Sequence, residues 1–281
     1  MRGRVEDYMP RIKQRLSLRY ATVEAMSSPE IDGAEAIATR YASKYDILVV
    51  CGGDGTLHRV INGVLKTGAN PVIGLLPFGT CNDVAHTLGL PHDIDKAVDA
   101  ILRLNTTEYD IMYDGNEYIA YSLATGYLTK STYTATNKSK KRFGRLAYFF
   151  SAIKCLFKFD SLPITVVYDG ERVHGKFVYF MILNSQYAGG FHLNKEDDVN
   201  NGKVRLVLIK KTNAFASFFA FVKLFMFGIK SLLKSKCVIV KDVKRVEIEN
   251  HANAPFTQDG EKIKFLKKQI AVKAKLTMIK K

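Results

Sequence analysis

Two short loops carry residue types that handle phosphate. Gly52-Gly53-Asp54-Gly55-Thr56 follows the apolar run Asp46-Ile-Leu-Val-Val-Cys51 and precedes a segment with Leu57, Val60, Ile61 and Val64 at helical spacing. Glycine at such a turn admits positive φ and lets the backbone approach a ligand closely. The free N–H groups of the following helix attract phosphate. An acidic residue inside a phosphate loop makes sense where it helps hold a divalent cation, which gives Asp54 a role. An ordinary strand–helix turn shares these glycines, but Asp54 inside the loop and Thr56 at the helix start weigh against it. No Gly-Lys-[Ser/Thr] follows, which excludes a Walker A loop. The second loop, Pro77-Phe-Gly-Thr-Cys-Asn-Asp83, follows the next strand. In an open parallel sheet both loops lie at the same carboxyl edge. Thr80 and Asn82 suit phosphate or ribose. Asp83, taken alone, reads as a cap for the helix starting at Val84.

The third element is acidic and occurs twice, as Asp169-Gly170-Glu171 and Asp259-Gly260-Glu261. The first lies between two alternating strands and reads as a hairpin turn. If the second is extended, Asp259 and Glu261 share one face, because side chains alternate along a strand. A carboxylate there suits proton removal from a hydroxyl. Composition alone does not tell the two copies apart.

These loops need a scaffold. Glu30–Tyr45 reads as a helix, Asp46–Cys51 as a strand buried on both faces, Thr56–Lys66 as a helix and Pro71–Leu76 as a second strand. Further helices are expected from Val84 and over Asp93–Leu104, an alternation that marks an α/β layer. After Glu108 strands dominate: Tyr118–Leu123, Ile164–Tyr168, Arg172–Leu183, Val204–Ile209, Cys237–Val240 and Val243–Glu249, interrupted by helices at Gly144–Phe157 and Asn213–Leu233. The expected fold is an α/β domain over 1–110 and a β-rich antiparallel domain over 111–281, with the boundary near Asp110 and a return of the last strands toward the first domain as an option.

A chain of 281 residues, 47% hydrophobic and 25% charged, is globular rather than disordered. Its net charge of +15 asks for an anionic partner: nucleic acid, a phosphorylated ligand or an acidic membrane. No recognition-helix, RRM or zinc-finger pattern is present, which argues against nucleic acid. Cys51, Cys81, Cys155 and Cys237 form no CxxC pair, so neither zinc nor a disulfide framework is expected, and the reading is a reducing cytoplasm. No apolar leader opens the chain. Ala214–Ile229 is too short to span a bilayer and contains Lys223. The favoured reading of Asn213–Lys236 is a helix packed on the β domain. The alternative lays part of it in a bilayer interface, and the basic run Lys138, Lys140, Lys141, Arg142 and Arg145 suits anionic headgroups.

Gly52–Gly63 with Gly74–Pro91, extended through Tyr109-Asp110-Ile111, Ala124–Thr129 and Asp259-Gly260-Glu261, resembles the diacylglycerol kinase catalytic domain, a superfamily that includes bacterial lipid kinases and sphingosine kinases. The resemblance implies an α/β nucleotide-binding domain, a β-rich sandwich-like lipid domain and an active site in the cleft between them. It implies transfer of the γ-phosphoryl of ATP to a lipid hydroxyl, with diacylglycerol as the expected acceptor. Gly52, Gly53, Asp54, Gly55, Thr56, Leu57 and His58 would meet the ATP phosphates, joined by Thr80 and an upstream threonine matched to Thr22. Asp54 and Asp110 would organise catalytic Mg²⁺, partly through water. Asp259 and Glu261 would form the acidic catalytic pair, with Asp259 preferred as the base. A structural Mg²⁺ loop maps onto Asp198, Asn201 and Lys203. A lipid substrate in a membrane, peripheral attachment to an anionic surface and a homodimer through the second domain also follow.

The chain departs from the family pattern in places. It shows no Asn-Pro-x-Ser-Gly-Lys segment, a lack expected to expose a sheet edge and weaken ATP binding. His58-Arg59 stands where Asn-Glu is usual, His86 replaces a common Arg, and Ser151 stands where the lipid domain has a lysine. Asn200-Asn201-Gly202 replaces Asp-Asp-Gly, which weakens a hard-cation site. A weakened or inactive lipid-binding relative, and a kinase of a soluble substrate such as NAD, are the alternatives. The Pro77–Asp83 loop argues against NAD.

Overall fold

A computed structural model describes residues 5–27, 33–126, 161–195 and 198–281. The expected helix Gly144–Phe157, the basic run Lys138–Arg145, Cys155 and Ser151 lie outside the described residues. The chain opens with α1 (Val5–Leu16), which buries Ile12 and Leu16. It continues through α2 (Gly33–Tyr41), β1 (Ile47–Gly52), α3 (Asp54–Thr67), β2 (Val72–Pro77), α4 (Asp83–Thr87) and α5 (Ile94–Arg103). β1 and β2 pair in parallel from Ile47↔Val72 to Gly52↔Pro77, so both loops leave the same carboxyl edge. α3 begins at Asp54, earlier than hydrophobic spacing alone places it, so Asp54 sits in the first helical turn.

The second half is a run of strands: β3 (Thr106–Tyr113), β4 (Tyr118–Ile119), β5 (Ser122–Gly126), β6 (Leu162–Tyr168), β7 (Glu171–Leu183), β8 (Tyr187–Ala188), β9 (Phe191–His192) and β10 (Val204–Lys210). Next comes α6 (Ala214–Phe227) with a 3₁₀ turn at Ile229–Leu232, then β11 (Val238–Val243), β12 (Arg245–Asn250), β13 (Phe256–Gln258), β14 (Glu261–Ile263) and β15 (Lys267–Ile279). The long final strand ties the molecule together. It pairs antiparallel with β3 and β12 and touches β2 in parallel at Met278↔Ile73. One sheet therefore runs from β1 through β2 and β15 into the β-rich half. The proposed boundary at Asp110 falls within β3.

The apolar residues divide accordingly. One cluster joins Leu57, Ile61 and Val64 of α3 to Tyr109, Tyr179 and Phe221. A second fills the β-rich half around Phe177, Phe180, Ile248 and Phe256. Rigid cores on both sides of the seam hold the intervening polar groups in place.

Candidate active site

The two glycine loops touch backbone to backbone. A Cβ on Gly53 would lie 2.9 Å from the Cα of Gly79, and one on Gly79 would lie 2.5 Å from the Cα of Gly53. This close approach, rather than positive φ, requires glycine: Gly52, Gly53 and Gly55 are absent from the left-handed region. Gly53 caps α3 without a side-chain hydrogen bond. The first-turn amides, which lack intrahelical partners, therefore face outward with the helix dipole behind them, a donor set that fits phosphate. A Cβ on Gly52 would strike the Thr56 side chain, and one on Gly55 would enter open space.

Asp54 faces the start of α4, where its Oδ1 accepts from the Val84 amide at 3.3 Å. Burial raises its pKa, the neighbouring charge of Asp259 adds to this, and amides at Asn82, Asp83 and Val84 oppose it. The mutual influence of Asp54 and Asp259 means that a front carboxylate and a tail carboxylate share one low-dielectric region. Tyr121 lies among them, and its phenol is pushed far up by burial and by Asp54, Asp83 and Asp259.

Asp259 is not in an extended segment. Asp259 and Gly260 both have positive φ, 46° and 91°, and close the β13–β14 hairpin. Asp259 and Glu261 therefore do not present a common strand face. Instead the Asp259 carboxylate is sealed in. Oδ2 accepts from the Ala120 amide (2.6 Å), and Oδ1 accepts from Tyr121 (3.0 Å) and Ser122 (2.9 Å). Its fourth partner is Nδ1 of His58, 2.9 Å from Oδ2. Burial pushes the His58 pKa down, but Asp259 outweighs it and the net shift is upward. Glu261 is neutralised by Arg59, whose Nη2 donates to both carboxylate oxygens at 3.0 and 2.7 Å. His58 and Arg59, the two departures in the first loop, thus pair one each with the two tail acids.

The second loop holds its own shape. Asn82 adopts φ 53°, and its side chain accepts from the Gly79 amide (2.9 Å) and donates to the Gly79 carbonyl (2.8 Å). This committed amide is a loop brace, while Thr80 is exposed. Asp83 does not cap α4: it is fully buried and accepts from Gly189 (2.6 Å) and Gly190 (2.7 Å) between β8 and β9. Asn62 was also missed by sequence reading. Its side chain donates to the Tyr118 carbonyl and accepts from the Tyr118 amide, locking α3 to β4. A polar residue on the apolar side of a helix is the signal that marks it.

Other sequence candidates fall elsewhere. Thr22 is exposed between α1 and α2. Asp110 is buried, and its Oδ2 accepts from Gly202 at 2.5 Å while its backbone bonds Val199 and Asn184. It braces the 199–202 loop and makes no bond to the glycine loops. The side chains around that loop are engaged with the protein's own groups. The Asn201 Oδ1 accepts from the Lys203 amide (2.9 Å). The Lys275 ammonium donates to the Asn200 carbonyl at 2.8 Å and pairs with Asp110 at 3.4 Å. The chain's own lysine supplies the positive charge there. Among the described residues, no three His, Cys, Asp or Glu side chains are arranged to hold a metal. A Mg²⁺ carried in on nucleotide phosphates needs fewer protein ligands, and Asp54 fits that lesser demand. Cys51 and Cys237 are free thiols, and burial raises Cys51 to about 11.

A helix end whose amides suit an anion, a buried acid–imidazole pair and a β-rich second half place a phosphate-suited loop beside a proton-handling pair. Residues 2–113 match the diacylglycerol kinase catalytic domain, and residues 122–278 match the YegS C-terminal NAD kinase beta sandwich-like domain. The chain is 32% identical over 218 residues to a diacylglycerol kinase of Staphylococcus carnosus, covering 77% of this chain and 70% of the relative. It is 28% identical over 232 residues to one from Bacillus subtilis, covering 82% and 76%. A solved diacylglycerol kinase structure from Bacillus anthracis superposes with a TM-score of 0.76 at 21% identity, covering 100% of this chain and 93% of that one, and so shares the fold. The chain belongs to the diacylglycerol kinase family: it is a lipid kinase, and ATP is the phosphoryl donor that membership implies.

Proposed function

We propose that the protein transfers the γ-phosphoryl group of ATP to the free hydroxyl of diacylglycerol, forming phosphatidic acid. The observation that carries this reading is the His58–Asp259 pair, one helical turn along α3 from Asp54 and the bare amides. Residues four apart share a helix face, so Asp54 and His58 look toward the same space. The α3 amides and Gly52–Thr56 bind the phosphates. Asp54 would hold the nucleotide's Mg²⁺, which supplies charge neutralisation at the phosphates.

Proton removal falls to His58. Three amides occupy the Asp259 carboxylate and fix it as an anchor for the imidazole. Nδ1–H donates to Asp259, leaving the Nε2 lone pair to accept the hydroxyl proton. The hydroxyl oxygen bonds to the γ-phosphorus, the bond from that phosphorus to the bridging oxygen breaks, and ADP leaves with the electron pair.

The test is incubation with labelled ATP and Mg²⁺ against diacylglycerol, ceramide, sphingosine and NAD. Label is expected in phosphatidic acid. Label in NADP, or in none of the products, overturns the reading.

A further inference from the structure

α6 has two apolar faces, and the described residues cover only one. Its inner side buries Ala220, Phe221 and Leu224, with Phe221 edge-on to Tyr179 and Phe225 edge-on to Phe191. Its outer side and the following turn expose Phe215 (74%), Phe219 (58%), Met226 (60%), Phe227 (64%) and Leu233 (60%). The expected packing of this helix on the β domain is therefore present, yet it leaves Phe215, Phe219, Met226 and Phe227 of the helix exposed. Monomeric proteins seldom leave such a cluster bare without a use for it.

Charge identifies the partner. From Lys210 to Lys241 the chain has no Asp or Glu. Lys223, Lys230, Lys234 and Lys236 are exposed within or beside the apolar stripe. Aromatic rings flanked by ammonium groups match a bilayer interface, where acyl chains take the rings and phosphate headgroups take the lysines. A helix this long measures roughly 21 Å against a hydrocarbon core of about 30 Å, so it lies in the interface rather than crossing it. No helix among the described residues is long and apolar enough to cross a membrane.

We propose that the outer face of α6 and the turn after it dock this protein on an anionic lipid bilayer. The same helix is wired to the site. The Ile229 amide donates to the Leu193 carbonyl at 2.7 Å, and Phe225 packs on Phe191 of the β8–β9 hairpin. That hairpin's Gly189 and Gly190 donate to Asp83 beside the glycine loops. One hairpin thus separates the docked surface from the phosphate loops, a short route for a hydroxyl presented by a membrane lipid. This last step rests on the lipid-kinase reading, whereas the docking surface stands on its own residues.

The chain contains no tryptophan, so Phe219→Trp introduces a fluorophore without background. With vesicles of phosphatidylcholine containing phosphatidylglycerol, its emission is expected to shift blue. Binding should strengthen with the phosphatidylglycerol fraction and weaken with salt. A triple variant, Phe215→Ser with Phe219→Ser and Phe227→Ser, should lose about tenfold or more in vesicle affinity. It should still phosphorylate a water-dispersed short-chain diacylglycerol at the parent rate. No blue shift on anionic vesicles overturns the proposal. So does a shift that appears without vesicles and tracks a dimer mass in light scattering, because the occupant would then be a second copy. If the parent fails on the short-chain substrate, the kinase reading falls while the vesicle result is read independently.

Discussion

Asp169-Gly170 and Asp259-Gly260 form the same backbone turn in two settings. Their φ values are 45° and 87° in the first, 46° and 91° in the second. Each closes a two-residue hairpin, between Tyr168 and Glu171 or between Gln258 and Glu261, and Asp-Gly suits the positive φ at both positions. Beyond the backbone they part. Asp169 is exposed, whereas Asp259 is 2% exposed and held by three amides and His58. Local sequence sets the turn, and tertiary surroundings turn one copy into an electrostatic anchor. Equal backbones with unequal neighbours make a controlled experiment within one chain.

The largest contrast should be catalytic. Asp259→Asn removes the charge that orients His58, and kcat/KM for diacylglycerol is expected to fall by roughly 10²–10⁴-fold, the range for a lost acid–base group. Asp169→Asn should leave kcat/KM within about twofold, as surface substitutions usually do. Parallel assays of the two variants check this. Equal losses would break the contrast and place the chemistry elsewhere.

The next contrast lies in pH. His58 acts as a base only when neutral, and its pKa lies above 6.5 because Asp259 outweighs burial. The rate should therefore rise with pH through that raised value, and His58→Asn should lose both rate and this limb. If the limb survives in His58→Asn, a carboxylate is the base. Stability has the opposite sign. The imidazolium–carboxylate pair contributes fully below the unfolded His pKa, while Asp259 is ionised, and is lost as pH rises through the folded pKa. The gap in thermal midpoint between parent and His58→Asn should narrow with rising pH.

Much of this arrangement could be read from the chain, and the remainder had a physical reason for being hidden. The alternation through Leu104, the two glycine loops and the Asp169-Gly170 turn are local patterns, and they lie where expected, whereas Asp259-Gly260 is a turn and not the extended segment a shared face would need. β15 lay outside the expected strands although Val272, Ala274, Leu276 and Met278 alternate with Lys273, Lys275 and Thr277, the local pattern of a strand with one covered face. β3 was missed because Thr106, Thr107, Glu108 and the buried Asp110 leave only a short apolar stretch in it. The pairing of His58 with Asp259 spans 201 positions, and no local pattern carries a contact of that range. Arg59 and Glu261 were visible separately as an oddity and a candidate acid, and only the fold shows that one answers the other. Asp83 misled because it is a good capping residue whose side chain found tertiary partners, and Asn82, read as a phosphate or ribose ligand, spends its side chain on Gly79 of its own loop.

The smallest contrast is one that should vanish. Gly170 and Gly260 both have positive φ, and a Cβ at either would meet no atom within 4 Å. Gly170→Ala and Gly260→Ala therefore confront the same backbone penalty, about 1–2 kcal/mol for a side chain in the left-handed region. Urea denaturation should give losses that agree within about 0.5 kcal/mol, the scatter among independent sites. Activity should separate them, since a shift at Gly260 moves Asp259 against His58 while a shift at Gly170 moves an exposed turn. A much larger stability loss at Gly260 would mean that the Asp259 anchor already strains its own turn. The two hairpins would then differ in backbone as well as in surroundings, and activity lost in Asp259 variants would report folding as well as chemistry.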